Sequence, residues 1–396
     1  MNILVIAPTP FFADRGTHIR ILEEALALDR LGHAITIATY HIGKDIPPEV
    51  GTDIDVQRIR GWLFWYRKLE AGPDWQKIVL DIMLLRKVAY LAWTQHPNII
   101  HAHLHEGALI GWVVQKLLFW RKIRLVTDFH GSLTREMVAH AYLRTGVLRW
   151  IFRRIERWIN ARGEMAVTSS WESMLEVSAV RPSETTETVS DGVNLSYYRA
   201  LPSGAEACRR IGIPTDRVII TCTGASVSDR QSIRHLLEAF SIVHAECSDV
   251  YFVLAGFSPK LIRAMTQGWT WTRDAKFISP SPYFQLPLLL WASDIGVNPK
   301  AASARQVSGR VLQYMGAGLP IACFDTASNR EYIDGGGEFA TDINGERLAE
   351  AIIRLVRDEK LREEKGLINH RRAERFSWDV SAKQLEGIYK RVLHSK

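Results

Sequence analysis

Short apolar runs alternate with longer segments of helical period along most of the chain. The first run covers residues 2–8, apolar positions three or four residues apart follow between 19 and 28, and a second run covers 34–40. Strand, helix and strand in this order begin a parallel sheet that has helices on both faces. Further apolar runs cover 218–222, 250–255, 276–278, 295–297 and 321–323. The pattern therefore predicts an α/β fold of two doubly wound, Rossmann-like domains that face each other across a cleft.

Residues 299–325 combine three predicted elements: a small polar loop, a short helix and an apolar strand. Ser308 is the predicted N-cap of the helix, and Gly316 is the first of two glycines that end it. A helix that begins at such a loop presents unpaired backbone N–H groups and a positive dipole end, which suits a diphosphate. Arg305 and Arg310 would add full positive charge. On this stretch alone, an ordinary αβ unit with a glycine turn is the simpler interpretation.

The loop after the first strand carries polar residues at the carboxyl edge of the predicted sheet, where ligands of such sheets bind. Asp14, Arg15 and His18 are therefore candidate cleft residues. Gly16, directly before the helix, suggests close approach of the backbone to a ligand. No GxGxxG motif follows the strand, which argues against a dinucleotide site at this position.

Three histidines and a glutamate lie near the end of a strand predicted around residue 100: His101, His103, His105 and Glu106. Alternate residues of a strand face the same side, so a metal site has to be considered. No second ligand cluster accompanies them, and polar contacts to a substrate also belong at a strand end. We therefore predict substrate-facing roles for His103, His105 and Glu106, and no metal.

His130 follows another predicted strand, at residues 124–129, and stands directly before a predicted helix start at Gly131 and Ser132. A lone histidine is more often structural than catalytic. Its position at the carboxyl end of a strand favours a role in the cleft.

Residues 61–68 place four aromatic side chains beside an arginine and a lysine, with Trp62, Phe64 and Trp65 at the centre. Such a run suits a loop that enters a lipid headgroup layer or stacks on a sugar. A loop that folds back over the helices of its own domain explains the run equally well.

A second basic and aromatic segment is a predicted helix in which Arg149, Arg153 and Arg157 recur four residues apart, with Trp150 and Trp158 nearby. Basic amphipathic helices of this kind bind anionic membrane surfaces. A solvated basic face on a packing helix is the commoner outcome. Together with the run at 61–68, the helix favours membrane contact.

Composition narrows the classes of function. The chain has 396 residues and a formal net charge of +7, which favours anionic partners such as nucleotides, phospholipids or nucleic acid. Four scattered cysteines indicate a reducing compartment and no zinc site. No apolar run approaches the ~20 residues of a membrane span, and no recognised nucleic-acid-binding module is present. We expect a cytoplasmic protein that meets the membrane peripherally, at its inner face, and has no nucleic-acid partner.

Taken in order, the motifs resemble those of the retaining GT-B glycosyltransferases of family four. Each motif is weak alone, but the ordered set extends over essentially the whole chain. The pieces are residues 2–8 followed by Gly16, Phe-His-Gly-Ser at 129–132, Ser-Asp-Gly-Val-Asn at 190–194, two motifs within 223–240, Val-Leu-Ala-Gly at 253–256, and the segments 292–299 and 309–320.

The resemblance implies how the chain would work. Residues 1–195 would bind the acceptor, residues 196–375 would bind the nucleotide sugar, and residues 376–396 would return to the N-terminal domain as a helix. His130 would lie beside the transferred sugar and Gly16 near the donor phosphates. A hexose-type sugar would pass to a lipid-linked or polysaccharide acceptor with retention of anomeric configuration. The reaction would need no metal and no cofactor, because the leaving phosphate helps to deprotonate the acceptor hydroxyl.

The donor site departs from the family pattern. Two glutamates of the family are replaced by Arg305 and Gln313, and an arginine and a lysine are replaced by Ala225 and Gln231, next to Arg230. We expect a shifted donor site made of Gly224, Arg230, Arg305, Ser308, Gly309, Arg310 and Gln313. In it, the amide of Gln313 would bind a ribose hydroxyl. The alternative is a non-catalytic GT-B-like binding or scaffold protein that has lost the donor chemistry.

Overall fold

The computed structural model describes residues 1–61, 65–66, 75–139, 142–224, 230–300 and 309–395. The chain forms two compact units, of which the first combines Met1–Asp191 with Trp378–Lys396 and the second is Gly192–Ser377. The segment at the C-terminus therefore belongs to the same unit as the N-terminal half of the chain.

The described part of the first unit contains one seven-stranded parallel sheet. Its strands are β1 (Asn2–Ala7), β2 (Ala34–Thr39), β3 (Asp55–Arg58), β4 (Ile99–His103), β5 (Arg124–Phe129), β6 (Met165–Thr168) and β7 (Thr186–Thr188). They lie in the order β3-β2-β1-β4-β5-β6-β7. Residues 3–7 of β1 and all of β4 are buried, because parallel sheets are covered on both faces.

The helices of this unit connect successive strands, except for the last one. They are α1 (Gly16–Arg30), α2 (Trp75–Gln95), α3 (Leu104–Leu117), α4 (Leu133–Ala139), α5 (Gly146–Asn160), α6 (Trp171–Ser178) and, after the second unit, α15 (Trp378–His394). Helix α15 packs against α1, and its buried Tyr389 hydroxyl lies 2.6 Å from Nδ1 of His101 in β4.

The second unit repeats the architecture with a six-stranded parallel sheet among its described residues. Its strands are β8 (Val218–Thr223), β9 (Val250–Ala255), β10 (Ala275–Ile278), β11 (Ile295–Asn298), β12 (Ile321–Phe324) and β13 (Gly337–Ala340), in the order β10-β9-β8-β11-β12-β13. Its helices are α7 (Gly204–Ile211), α8 (Arg230–Glu246), α9 (Pro259–Met265), α10 (Leu286–Trp291), α11 (Gly309–Gly316), α12 (Ala327–Ile333), α13 (Gly345–Arg357) and α14 (Glu359–Ala373). The predicted fold class of two doubly wound, Rossmann-like domains is confirmed.

Helix α11 is fixed to the sheet of the second unit by a buried tyrosine. The hydroxyl of Tyr314 accepts a hydrogen bond from the backbone N–H of Thr223, at 2.8 Å, at the carboxyl end of β8. Gly296 makes room for the ring, because a Cβ at that position would lie 2.7 Å from Cδ2 of Tyr314. The helix is thereby held against the strand ends where a ligand of this sheet would bind.

One sequence-based boundary is wrong. Strand β4 ends at His103, and α3 begins at Leu104, which has a φ of +62°. His105 and Glu106 therefore lie in the first turn of a helix, not on the strand with His101 and His103. None of the described helices combines the length and the apolar character needed to span a bilayer.

Candidate functional site

His130 lies directly after β5, at the end of a chain of buried polar side chains in the first unit. Its Nε2 is 3.1 Å from Nδ1 of His103, at the end of the neighbouring strand β4. Nδ1 of His103 also lies 3.3 Å from Oδ2 of Asp128 in β5. The stacking of His101 on His103, with ring centroids 4.4 Å apart, follows from their alternate positions in β4.

Arg20 of α1 supplies the positive charge at the centre of this network. Its Nε and Nη2 donate to Oδ2 of Asp128 at 3.1 and 3.0 Å, and its Nη1 donates to Asp191 at 2.8 Å. Nη2 also lies 2.8 Å from Oε1 of Glu24, one turn further along α1. A buried guanidinium and several carboxyl groups therefore compensate one another under His130.

The protonation states of this network follow from burial and charge. Burial alone would raise the pKa of Asp128, but Arg20 and the neighbouring histidines hold it well below its usual value. Burial, together with the nearby Asp128 and Asp191, raises the pKa of Glu24 despite the adjacent guanidinium of Arg20. Of the two carboxyl groups, Asp128 is therefore the one that ionises more readily, and Glu24 is the one that holds a proton more readily.

The histidines of the network are held neutral. Burial is the main cause that lowers the pKa values of His101, His103 and His130, and the positive charge of Arg20 adds to it, although Asp128 opposes the shift. A neutral imidazole that is fixed on one nitrogen can offer its other nitrogen to a ligand. His130 is suited to hydrogen bonding at neutral pH rather than to carrying a positive charge.

Only two members of the network reach solvent to any extent. The side chain of His130 is 10% exposed and that of Asp191 is 26% exposed, whereas those of Arg20, Glu24, His101, His103 and Asp128 are at most 3% exposed. A substrate can therefore meet the network at the exposed edge of the His130 ring. Nδ1 of His130 is itself buried and has no hydrogen-bond partner among the described residues.

Glu24, His101, His103 and Asp128 also form a group whose potential metal-ligand atoms lie within 4.8 Å of one another. The sequence-based expectation was that no metal binds here. Arg20 already contacts both carboxyl groups, and a metal ion beside a buried guanidinium would meet like charge. The absence of a metal at these four residues stays a prediction.

The candidate residues after β1 are divided between the surface and the interior. Arg15 and Gly16 are exposed at the start of α1, and a Cβ at Gly16 would meet no described atom within 4 Å. Asp14 accepts a hydrogen bond from Nζ of Lys44 at 2.6 Å. Burial, with Arg15 nearby, lowers the pKa of His18 to about 4.

His105 and Glu106 contact residues outside the network around His103. The His105 ring is buried, 4.9 Å from the ring of Phe129, and its Nε2 is 3.7 Å from Oε1 of Glu156 in α5. Glu106 is partly exposed and faces Nζ of Lys77 at 3.5 Å. The structure thus brings together only His103 and His130 of the predicted acceptor and catalytic residues.

In the second unit, the structure brings Arg310 to Gly224. The Arg310 guanidinium donates through Nη2 to the carbonyl of Gly224, and its Nη1 lies 3.9 Å from Sγ of Cys222. Gly224 has a φ of +58° and passes close to Gly256, where a Cβ would lie 3.3 Å from Cα of Gly224. Positive charge and two closely spaced glycine turns therefore meet at the ends of β8 and β9.

The other predicted donor residues have different surroundings. Gly309 is exposed at the first turn of α11, and Arg230 is exposed at the first turn of α8. Gln313 is buried, and the Tyr198 hydroxyl donates to its side-chain oxygen at 3.2 Å. Arg305 and Ser308 lie outside the described residues.

Of the aromatic run at 61–68, Trp62 and Phe64 lie outside the described residues, and Trp65 is 55% exposed. Arg149, Arg153 and Arg157 are exposed on α5. Exposed apolar side chains accompany them on the same helix, including Val147, Trp150, Ile151, Ile155 and Trp158.

Sequence reasoning missed Arg20, Glu24, Asp191 and Tyr389 as members of the network. Arg20, Glu23 and Glu24 are spaced three and four residues apart, so that they share one face of α1. All three are buried. The charged face of an otherwise apolar helix was the available signal for a buried charge network. A charged helix face is usually expected to be exposed to solvent, so the signal was not used.

Two family models match successive parts of the chain. The model of glycosyltransferase family 4 matches residues 15–197, and the model of glycosyl transferases group 1 matches residues 217–358. The D-inositol 3-phosphate glycosyltransferase of Thermobispora bispora is 24% identical over 412 aligned residues, which cover 96% of this chain and 90% of that protein.

Solved structures of similar fold cover the whole chain. A sucrose-phosphate synthase from Thermosynechococcus elongatus superposes with a TM-score of 0.75 at 16% identity, over 100% of both chains. Anabaena HepE in complex with UDP-glucose superposes with a TM-score of 0.71 at 15% identity, over 99% of this chain and 100% of that chain. The solved structures and the two parallel sheets show the GT-B fold, and the two family models, which together match residues 15–197 and 217–358, show that the chain belongs to the group 1 glycosyltransferases.

Proposed function

We propose that this glycosyltransferase moves a sugar from a nucleotide-diphosphate sugar to a lipid-linked or polysaccharide acceptor, with retention of anomeric configuration. The observation that carries the proposal is the buried charge network that ends at the partly exposed His130. Such a network is costly to build and holds the imidazole in a fixed orientation. The HepE structure that contains UDP-glucose supports a nucleotide-sugar donor.

The donor binds to the second unit in this proposal. Arg310, which donates a hydrogen bond to the carbonyl of Gly224, places positive charge at the end of β8. The first turn of α11, at Gly309, presents backbone N–H groups. Arg230, Arg305 and Ser308 complete the set that would neutralise the diphosphate. Because Gln313 is engaged by Tyr198, we assign its amide to supporting α11 rather than to binding the ribose.

The chemical step is then a displacement at the anomeric carbon. The acceptor oxygen forms the new glycosidic bond, the bond to the diphosphate oxygen breaks, and the acceptor proton passes to the leaving phosphate. His130 remains neutral and hydrogen-bonds a sugar hydroxyl, while Arg310 and backbone N–H groups stabilise the charge on the leaving group. No group of the chain has to act as a strong base in this scheme.

A panel of UDP- and GDP-sugars, assayed by the release of nucleotide, tests the function. We expect at least one donor to be hydrolysed slowly without acceptor and to be turned over faster with a glycan or lipid-linked acceptor. If no member of the panel is bound or turned over, the non-catalytic scaffold is the better account.

We further propose that the first unit meets an anionic membrane surface, at the cytoplasmic face. Phe119 and Trp120, in the short 3-10 helix that follows α3, are 72% and 52% exposed. Arg121 lies over the ring of Trp93, 4.7 Å from its centroid, and Trp93 contacts Trp120 edge to face. Exposed aromatic side chains among basic residues, here including Arg149, Arg153 and Arg157 on α5, suit a headgroup layer.

Replacing Phe119 and Trp120 together by serine is expected to weaken co-sedimentation with anionic vesicles at least about tenfold, because two large apolar side chains no longer enter the interface. The matched control is Leu367→Ser, which removes an apolar side chain that is 51% exposed on α14 of the second unit. Equal binding of the double variant and the wild-type protein would contradict the membrane proposal.

A further inference from the structure

A groove of about 550 Å³ lies beside α5 in the first unit. Residues of α4, α5 and the end of α6 line it, and the ones that carry the argument are Ser132, Thr134, Arg149, Arg153, Glu156 and Arg157. We call this feature the basic groove. Arg153 and Arg157 also line a second cavity, of about 470 Å³, together with Trp150 and Arg154.

The negative charge inside the basic groove is already engaged. Glu156 is buried, and its carboxylate accepts hydrogen bonds from the hydroxyls of Ser132 and Thr134 and from the Thr134 N–H. Arg135, which also borders the groove, is bound by Glu172 and Glu176. These two carboxylates are therefore committed to a different arginine.

The positive charge on α5, by contrast, is largely uncompensated. Arg149 donates through Nε to the carbonyl of Leu143 at 3.0 Å, and Arg154 lies over the ring of Trp150, 4.8 Å from its centroid. Among the described residues, Arg153 and Arg157 have no hydrogen-bond or ion-pair partner. They lie one helical turn apart, about 6 Å along the axis, and face one groove, so that one anionic group can contact both.

The basic groove begins close to His130 along the chain. Ser132, which lines it, follows His130 by two residues, so that their Cα atoms are at most about 7 Å apart. Oε1 of Glu156, which lines the groove, also lies 3.7 Å from Nε2 of His105. A molecule that places a hydroxyl beside His130 can therefore extend a second group along α5.

We propose that the basic groove is the subsite for a phosphate group carried by the acceptor; this assignment rests on the proposed glycosyl transfer. Two guanidiniums without partners match the oxygens of a phosphate or diphosphate, to which arginine donates in pairs. The groove lies in the first unit, whereas the donor is proposed to bind to the second, and this assigns the phosphate to the acceptor rather than to the donor. A phosphorylated soluble acceptor and a lipid-linked diphosphate share this chemistry.

Titration calorimetry of the full chain with inorganic pyrophosphate tests the subsite. The measurement is made at about 0.15 M salt, because salt at this concentration screens diffuse attraction to a charged surface. The wild-type protein and the Arg310→Ala variant are both expected to bind pyrophosphate in the groove, because Arg310 lies in the other unit. Replacing Arg153 and Arg157 together by glutamine is expected to weaken this binding at least about tenfold.

The matched control is Arg154→Gln, which removes the same charge from the same helix but does not line the basic groove. It is expected to leave pyrophosphate binding within about twofold of the wild-type value. Equal weakening by Arg154→Gln, or unchanged binding in the double variant, would overturn the subsite and indicate a merely diffuse basic surface.

Neutral vesicles that carry a polyprenyl diphosphate distinguish a lipid-linked acceptor from a soluble phosphorylated acceptor. Binding to them that exceeds binding to neutral vesicles alone, and that is lost in the double variant, indicates a lipid-linked acceptor. Binding of soluble pyrophosphate only indicates a soluble phosphorylated acceptor. If the wild-type protein hydrolyses no donor, the proposed function fails, whereas the phosphate subsite is judged by calorimetry alone.

Discussion

Replacing Arg20 by methionine is expected to lower the free energy of unfolding by about 3–5 kcal/mol, because the change leaves buried carboxylates without their cation. Asp128 would lose both of its hydrogen bonds from the guanidinium, and Asp191 would lose its ion pair. His103 and His130 depend on Asp128 for their orientation, so turnover of a nucleotide sugar should fall in the fraction that remains folded.

Chemical denaturation at pH 7.5 measures this effect, and Arg30→Met is the matched control on the same helix. Arg30 pairs with Asp379 at 2.6 Å, but the two side chains are 39% and 61% exposed, so its loss should cost less than about 1 kcal/mol. If the two variants were equally stable, the network around Arg20 would contribute no more than a surface ion pair, and the account of a preorganised His130 would be wrong.

Acidification from pH 7 to pH 5 is expected to lower the free energy of unfolding by several kcal/mol. Chiefly because of burial, the folded protein lowers the pKa values of six histidines: His18, His33, His101, His103, His105 and His130. Below pH 6.5 the unfolded chain binds protons at these positions and the folded protein does not. Each histidine then removes about 1.4 kcal/mol of stability per pH unit until its folded pKa is reached, which for His18 is about 4.

Three carboxyl groups act in the opposite direction. Burial raises the pKa values of Glu24, Asp81 and Asp294, that of Asp81 to about 7, so the folded protein holds protons there that the unfolded chain releases. These carboxyl groups therefore offset part of the loss of stability that the six histidines cause in acid.

Denaturation midpoints measured at pH 7.5, 6.5 and 5.5 give the slope. The His18→Gln variant should have a smaller slope, by an amount that corresponds to about one proton, since glutamine does not titrate. A free energy of unfolding that is constant between pH 7.5 and pH 5.5 would contradict this prediction, because the histidines would then titrate in the folded protein as they do in the unfolded chain.

The strands were predictable because their cause is local. Parallel strands that are covered on both faces have predominantly apolar sequences, and residues 2–8, 34–40 and 250–255 are of this kind. The end of β4 at His103 was not predictable. The chain turns at Leu104, which has a positive φ, and no glycine at this position indicates such a turn. The same reasoning placed His105 beside His103, although a helix start separates them.

The candidate site was predictable only in part, because its partners are distant in sequence. His130 could be singled out from its place at a strand end. Arg20, however, is 108 residues from Asp128 and 171 residues from Asp191, and only the order of the strands brings them together. Tyr389 reaches His101 across 288 residues, and no pattern within α15 distinguishes it from any other buried tyrosine.

The most direct measurement compares turnover of the best nucleotide-sugar donor by the wild-type protein and by His130→Ala, at equal folded fraction. The network is expected to hold His130 where it contacts the transferred sugar, so kcat should fall about 100-fold or more, while the Kd of the free nucleotide stays within about threefold of the wild-type value. Wild-type turnover by the His130→Ala variant would contradict the account.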